Sequence, residues 1–304
     1  MISFRYHLVS IVSVFLALAL GVLVGTTVVN QGVIGDLENR VNSAVKRAEE
    51  ARIQVGELQQ QVKEWGNFAS AAEPLLVEGR LTGTEVVMVT QEGVGGADLE
   101  RVRRTLQDAG GTVAAELVLT NKMELTDPAA RSVLAGMVGR PENADPAGMA
   151  AEAARRLALR LTGGPATPES DFLDQLRTEG FLVIRGGATP EDIGATFQAV
   201  VILLGGSDAA VVDPAWFLQP LATSLAESAR PVVAAETIES ASPFVTLIRG
   251  NGALDGDLVT VDNADQVPGR VAIVLGLRDL LASPGSGGDY GVKDGASSLL
   301  PPKP

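Results

Sequence analysis

Between Leu8 and Val29 the sequence reads LVSIVSVFLALALGVLVGTTVV, 22 residues without a charge. A helix of that length, at ~1.5 Å per residue, reaches ~33 Å, which matches the hydrocarbon core of a bilayer. Only a helix closes its own backbone hydrogen bonds in lipid. The run therefore predicts one transmembrane helix. A cleaved signal peptide is the competing reading, since the leading MISFRYH with Arg5 resembles a charged n-region. The apolar run exceeds the ~7–15 residues of a signal core, and no small-x-small cleavage motif precedes mature-looking sequence, so the segment reads as an uncleaved anchor. Arg5 on one flank faces Arg40, Lys46 and Arg47 on the other, so the Lys/Arg count alone does not set the orientation. The short leading tail favours a cytoplasmic N-terminus, which places the bulk of the chain in the extracytoplasmic envelope. Within the run, Ala17, Gly21 and Gly25 form a small-xxx-small face suited to close helix packing. Incidental spacing accounts for that face equally well, because Gly and Ala are common in membrane helices.

A heptad pattern follows. Ile34, Val41, Ala48, Val55 and Val62 occupy position a, and Leu37, Ala44, Ala51, Leu58 and Trp65 occupy position d, without a break. This predicts a coiled-coil stalk whose contact residues include Ile34, Leu37, Val41, Val55, Leu58, Val62 and Trp65, reaching ~48 Å. Branched residues at a with Leu at d favour two parallel strands. Against a homodimer, Arg47 at g would face Arg52 at e of the second copy, and the central alanines bury little area. A homo-oligomer, a partner helix from another envelope protein and a fold-back onto the chain's own domain all stay open. Gly66 is expected to interrupt the helix and Pro74 to mark a later break.

From Thr84 the pattern changes to short β-branched apolar runs alternating with amphipathic stretches. Glu85 to Thr90, Thr112 to Leu119, Phe181 to Ile184, Ala199 to Leu204, Pro231 to Ala235 and Leu258 to Val261 read as strands, with Ala199 to Leu204 central. Ala97 to Ala109, Pro214 to Ser228, Ser242 to Arg249 and Pro268 to Ala282 read as helices, as do stretches between Thr126 and Leu161. One further helix, Thr167 to Thr178, is expected to be capped at Thr167. The fold class is α/β: a transmembrane helix, a coiled-coil stalk, then a three-layer domain with about five or six mostly parallel strands. The boundaries read as anchor 1–32, stalk 33–68, domain 80–283 and a Gly/Pro/Ser-rich tail 284–304, a loop or flexible tail by composition.

Composition narrows the chemistry. A net charge of −13, from 24 basic and 37 acidic residues, argues against a nucleic-acid partner. There is no cysteine, which removes disulfides, thiol catalysis and Cys-ligated zinc. The one histidine, His7, borders the membrane run, so no Ser-His-Asp triad forms in the soluble part of one chain. The chain reads as a non-enzyme with no catalytic residue and no cofactor. Gly93-Val94-Gly95-Gly96 lacks the third glycine of a dinucleotide loop and reads as a turn. Gly205, Gly206, Ser207 and Asp208 follow the most apolar strand and form the candidate ligand loop, because open α/β sheets bind at strand carboxyl ends. The bland alternative is a loop whose glycines permit positive φ. Asp255, Asp257, Asp262 and Asp265 depart from the EF-hand order and read as a solvated acidic loop. Met88, Met123, Met137 and Met149 are dispersed, with Met88 and Met137 read as core rather than soft-metal ligands.

The opening MISFRYHLVSIVSVFLALALGVLVG, the stretch DNADQVPGRVAIVLGLRDLL and the ending GDYGVKDGASSLLP are similar to the actinobacterial MctB family of copper transporters. The resemblance covers essentially the whole chain and is most specific at the two ends. It implies copper efflux or copper homeostasis, with a channel activity in the outer envelope; copper enters only by this resemblance. The family includes SteB-like proteins, implied to act in cell division by engaging a membrane partner and a septal peptidoglycan hydrolase through the coiled coil. Where the family's tail can carry histidine, this chain has Asp289-Tyr290-Gly291 followed by Lys293 and Asp294. One apolar helix encloses no pore, and no alternating barrel strands are present, so transport would require an oligomer or partners.

Overall fold

The computed structural model describes residues 4–164, 167, 171–194, 199–204, 211–241 and 243–302, with the side chains of 26–36 and 203–204 left out. The chain divides into two units, Met1–Asn67 and Phe68–Pro304. A single helix, α1, runs Phe4–Val77. Its first part, Phe4–Gly25, is long and apolar enough to cross a membrane, and its side chains are all exposed.

Contrary to the sequence expectation, α1 continues through Gly66 and carries Pro74 inside it. A mid-helix glycine is only about 1 kcal/mol worse than alanine, and the neighbouring Ala69, Ala71 and Ala72 are strong helix formers. Pro74 lies within one turn of the helix end. There the burial of Glu73 and Val77 in the second unit outweighs the lost hydrogen bond.

The second unit continues with β1 (Glu85–Gln91), α2 (Gly96–Asp108), β2 (Thr112–Leu119), α3 (Pro128–Val138), α4 (Pro146–Gly163), α5 (Phe172–Thr178), β3 (Leu182–Arg185), β4 (Ala199–Leu204), α6 (Leu218–Glu227), β5 (Val232–Glu236), α7 (Phe244–Arg249), β6 (Val259–Val261), α8 (Val267–Ala282) and β7 (Gly288–Tyr290). Two Asp-Pro pairs open α3 and α4. The Asp127 carboxylate accepts from Ala129 N–H and that of Asp145 from Gly148 N–H, with proline just inside each helix where a missing N–H does no harm. Helix α5 is capped by Asp171, which accepts from the N–H groups of Leu173 and Asp174, not by Thr167; residues 168–170 fall outside the description.

The strands form one sheet in the order β3-β2-β1-β4-β5-β6-β7. All neighbours are parallel except the edge strand β3, antiparallel to β2. Strand alternation sends Val87, Val89, Val200, Ile202, Val232 and Ala234 into one apolar core. It sends Val86, Met88, Ala199, Val201, Val233 and Ala235 into another. The first core is completed by residues of α3, α4, α5, α6 and α7. The second is completed by Val77 at the end of α1 together with α2 and α8. That is the expected three-layer arrangement, with a mostly parallel sheet buried on both faces.

The sheet has seven strands, more than the five or six expected, because the tail supplies β7. Its Gly, Pro and Ser content signals a loop, yet Gly288, Asp289 and Tyr290 pair in parallel with Val259, Thr260 and Val261. A residue-by-residue propensity reading cannot see this pairing, since it depends on side chains on α7 and β6 that hold the tail in place.

Candidate functional site

Two regions carry the chemistry. The first is α1. An added Cβ at Gly21 or Gly25 meets nothing within 4 Å, so the face bearing Ala17, Gly21 and Gly25 is open in a single chain. Further along, Leu37, Val41, Val55, Leu58, Val62 and Trp65 are each more than half exposed, with Trp65 at 70%. The side chain of Ile34 lies outside the description. A water-exposed helix normally buries one apolar stripe; this one displays its stripe to solvent over four heptads. The flanking charges are weakly engaged: Lys46 and Glu50 are 3.9 Å apart, Gln60 donates to Glu64, and Arg47 Nε donates to its own helix at Ser43 O.

The second region is the carboxyl end of the sheet. The candidate ligand loop Gly205, Gly206, Ser207 and Asp208 lies outside the described residues. Its strand, β4, stands beside β1, where successive crossovers change direction, the usual place for a ligand crevice in an open α/β sheet. Gln91 ends β1 there, buried, with Oε1 accepting from Val212 N–H. The Gly93 turn that follows has φ +91°, which favours glycine. Beyond β1 and β2 an open cleft of about 480 Å³ is lined by Glu92, Thr120, Asn121, Lys122, Glu124 and Asp127. Its groups are already engaged in part: Asn121 N–H donates to Glu92, Lys122 Nζ to Glu179 O, and Ala129 N–H to Asp127.

The acidic run expected to be solvated is split by the fold. Asp262, just past β6, is fully buried. Its carboxylate accepts from Arg249 Nη1 at 2.8 Å and from the N–H groups of Val292 and Lys293 at 2.7 and 3.1 Å. Arg249 also donates to Thr260 Oγ1 and to the carbonyl of Tyr290, and Thr260 Oγ1 donates to Asp289. Glu236, at the end of β5, is buried too; it accepts from Lys293 Nζ at 2.7 Å and from Val245 N–H at 3.0 Å. Asp265 accepts from Ile238 N–H, while Asp257 borders a separate cleft of about 470 Å³ at the opposite end of β5. A buried carboxylate needs hydrogen-bond donors, and here α7 supplies Arg249 and Val245 N–H while the tail supplies Val292 N–H, Lys293 N–H and Lys293 Nζ. Gly291, at φ +136°, is required: an added Cβ would lie 2.0 Å from the Asp262 carboxylate. The network therefore holds the tail as part of the sheet.

A third buried pair lies on the opposite face from α4. Arg270, at the start of α8, grips Glu73 of α1 through Nε and Nη2, both at 2.7 Å, while Thr105 Oγ1 donates to the same carboxylate at 2.6 Å. Burial works against ionisation of Glu73, but the Arg270 and Thr105 hydrogen bonds win and hold its carboxyl below the usual range. Sequence reading singled out none of Glu73, Glu236, Arg249 or Arg270, and it named Lys293 only as standing where the family's tail can carry histidine. One signal was available: Asp262 directly follows an apolar β-branched run, so its carboxylate had to sit at a buried strand end. The methionines sit in the cores as read, Met88 fully buried and Met137 packed against the larger cluster. Among the described residues, no group of three His, Asp or Glu side chains is placed to hold a metal ion.

Comparison with known proteins adds the context. The chain is similar to the protein named copper transporter MctB in Mycobacterium tuberculosis, with 28% identity over 318 residues covering 98% of this chain and 99% of the relative. It is equally similar to the Mycobacterium leprae protein of that name, 28% identical over 320 residues covering 100% of both chains. A family model described as copper transport outer membrane protein, MctB, matches residues 1–301. With an apolar helix, a long continuous α1 and a parallel α/β sheet following in order along that match, the chain belongs to the MctB family.

Proposed function

We propose that this protein is a membrane-anchored, non-enzymatic subunit acting in copper efflux and homeostasis at the cell envelope, and that it works as an assembly. The family match across residues 1–301 carries the reading, supported by relatives that are named copper transporters. Phe4–Gly25 anchors the chain and the sheet-bearing unit stands on the extracytoplasmic side. A single spanning helix leaves no aqueous path, so copper passage requires several chains or a partner. The open face of Ala17, Gly21 and Gly25 suits close approach of membrane helices. The seam of Ile34, Leu37, Val41, Val55, Leu58, Val62 and Trp65 then forms a parallel coiled coil, since anchors in one membrane point their stalks the same way.

A second reading rests on that same seam. Arg47 and Arg52 would repel across a parallel homodimer, whereas a different helix with acidic flanks would pair with them. The protein would then be a scaffold or regulator, SteB-like, engaging a cell-division or peptidoglycan-hydrolase partner.

One experiment separates the readings. Deleting the gene should raise cellular copper and copper sensitivity, the native protein should restore both, and a Leu37→Glu/Leu58→Glu variant should not. Unchanged copper content after deletion would remove the transport reading. If the variant then also fails to co-purify a protein that the native chain retains, the scaffold reading stands.

A further inference from the structure

The last turns of α1, residues 68–77, belong to the second unit but meet the rest of it by little apolar contact. Val77 joins the core shared with α2 and α8, and Ala69 and Ala72 are half-buried, but Phe68 and Leu75 are 64% and 76% exposed. Pro74 removes a helical hydrogen bond in this stretch and crowds the carbonyl of Ser70, so the helix is at its weakest next to Glu73. Against that stands one concentrated polar contact. Glu73 receives a two-pronged grip from Arg270 and a third donor from Thr105, and Arg270 Nη1 is itself oriented by the carbonyl of Asp265. Both partners of the pair are more than nine-tenths buried. Such a pair adds little when closed compared with an apolar equivalent, but loses much when one member goes, because the other is left charged and dry.

We propose that residues 68–77 form a strap closed by the Glu73–Arg270 clasp, able to release from α2 and α8 as a local unit while the sheet stays folded. Val77 is the strap's fully buried apolar residue in the sheet's cores; the other residues that bury β1, β4 and β5 on both faces lie outside the strap. Opening uncovers Arg270 at the head of α8 and the α2 face around Thr105. The strap thus gives an event on α1 a way to reach the sheet-bearing unit.

The test is hydrogen exchange of the full chain in detergent micelles, followed by peptide mass analysis. Glu73→Gln should speed exchange of residues 70–77 by about tenfold or more, with β1, β4 and β5 unchanged. Thr105→Val, which leaves the ion pair intact, should produce a smaller acceleration in the same peptides. Arg270→Met combined with Glu73→Gln should be less disruptive than Glu73→Gln alone, because no charge is then stranded. The proposal is overturned if residues 70–77 exchange at the native rate in Glu73→Gln. It is equally overturned if the strand peptides accelerate together with them, or if the variant does not fold, since the clasp would then belong to the global fold.

Discussion

Residues 37–65 of α1 and the carboxyl end of the sheet use the same side-chain types in opposite ways. On α1 the apolar residues face water and the charges pair loosely, as in Lys46–Glu50, where the two side chains are 80% and 59% exposed. At the sheet end the apolar residues are sealed and the charges are dry, as in Arg249–Asp262 at 6% and 0%. An exposed pair is screened by water and salt, while a dry one is strong only as long as every lone pair and proton is matched. One region thus leaves its apolar stripe open to solvent. The other is already complete and serves to fix the tail.

The sharpest way to break this contrast is Asp262→Ala. Three donors lose their acceptor at once: Arg249 Nη1 and the N–H groups of Val292 and Lys293. Removing one member of a buried pair costs about 3–5 kcal/mol, so thermal unfolding of the full chain in detergent should show a fall in Tm of several degrees. Exchange of β7 peptides should rise with it. An unchanged melt would mean that the strand pairings, with Lys293–Glu236 and Arg249–Tyr290, hold the tail without Asp262.

Next in size is Gly269→Ala, in the first turn of α8. A Cβ there would lie 2.0 Å from the carbonyl oxygen of Asn263, a backbone atom that cannot step aside. Helix and strand end must separate, and about 1–3 kcal/mol of stability should go with the packing. The same substitution at Gly56 of α1, where nothing lies within 4 Å, should be neutral or stabilising. The pair of variants sets the closed region against the open one by a single methyl group.

How much of this was legible before the fold is uneven, and the reason is physical. The strands were readable because β-branched apolar runs are a local signal, as at Val86–Met88. The apolar stripe of α1 was readable because a heptad is a one-dimensional pattern. The clasp was not, since Glu73 and Arg270 stand 197 positions apart and neither has a local reason to be buried. β7 was hidden by its own composition, and Asp262 by the neighbouring acids that share its sequence but not its burial. The continuation of α1 past Gly66 was missed because tertiary burial at Val77 decides what propensity leaves balanced.

Acid should sharpen the comparison more gently. The Glu73 carboxyl, despite its burial, is held below the usual range by Arg270 and Thr105. A depressed folded-state pKa contributes stability that is present above the unfolded value and lost as pH falls through the folded one. Release of residues 70–77 should therefore set in as pH falls through the ordinary carboxylate range and be complete only below the depressed folded value, and Glu73→Gln should abolish that acid-dependent step in hydrogen exchange. If the step persists in Glu73→Gln, another carboxylate governs it.

The smallest effect belongs to Lys46→Ala. Its partner Glu50 is one turn away at 3.9 Å, both side chains are largely in water, and such i,i+4 pairs contribute about 0.3–0.5 kcal/mol at most. Alanine is the better helix former, which offsets much of that loss. The melt of the full chain should move by less than about one degree, and less still in high salt. A large shift would show that position 46 is not solvated in the assembled protein. Because position 46 lies at f, on the side of α1 away from the a/d seam, that result would place a partner on the outer face of the stalk and overturn the assignment of Leu37, Leu58 and their neighbours as the contact surface.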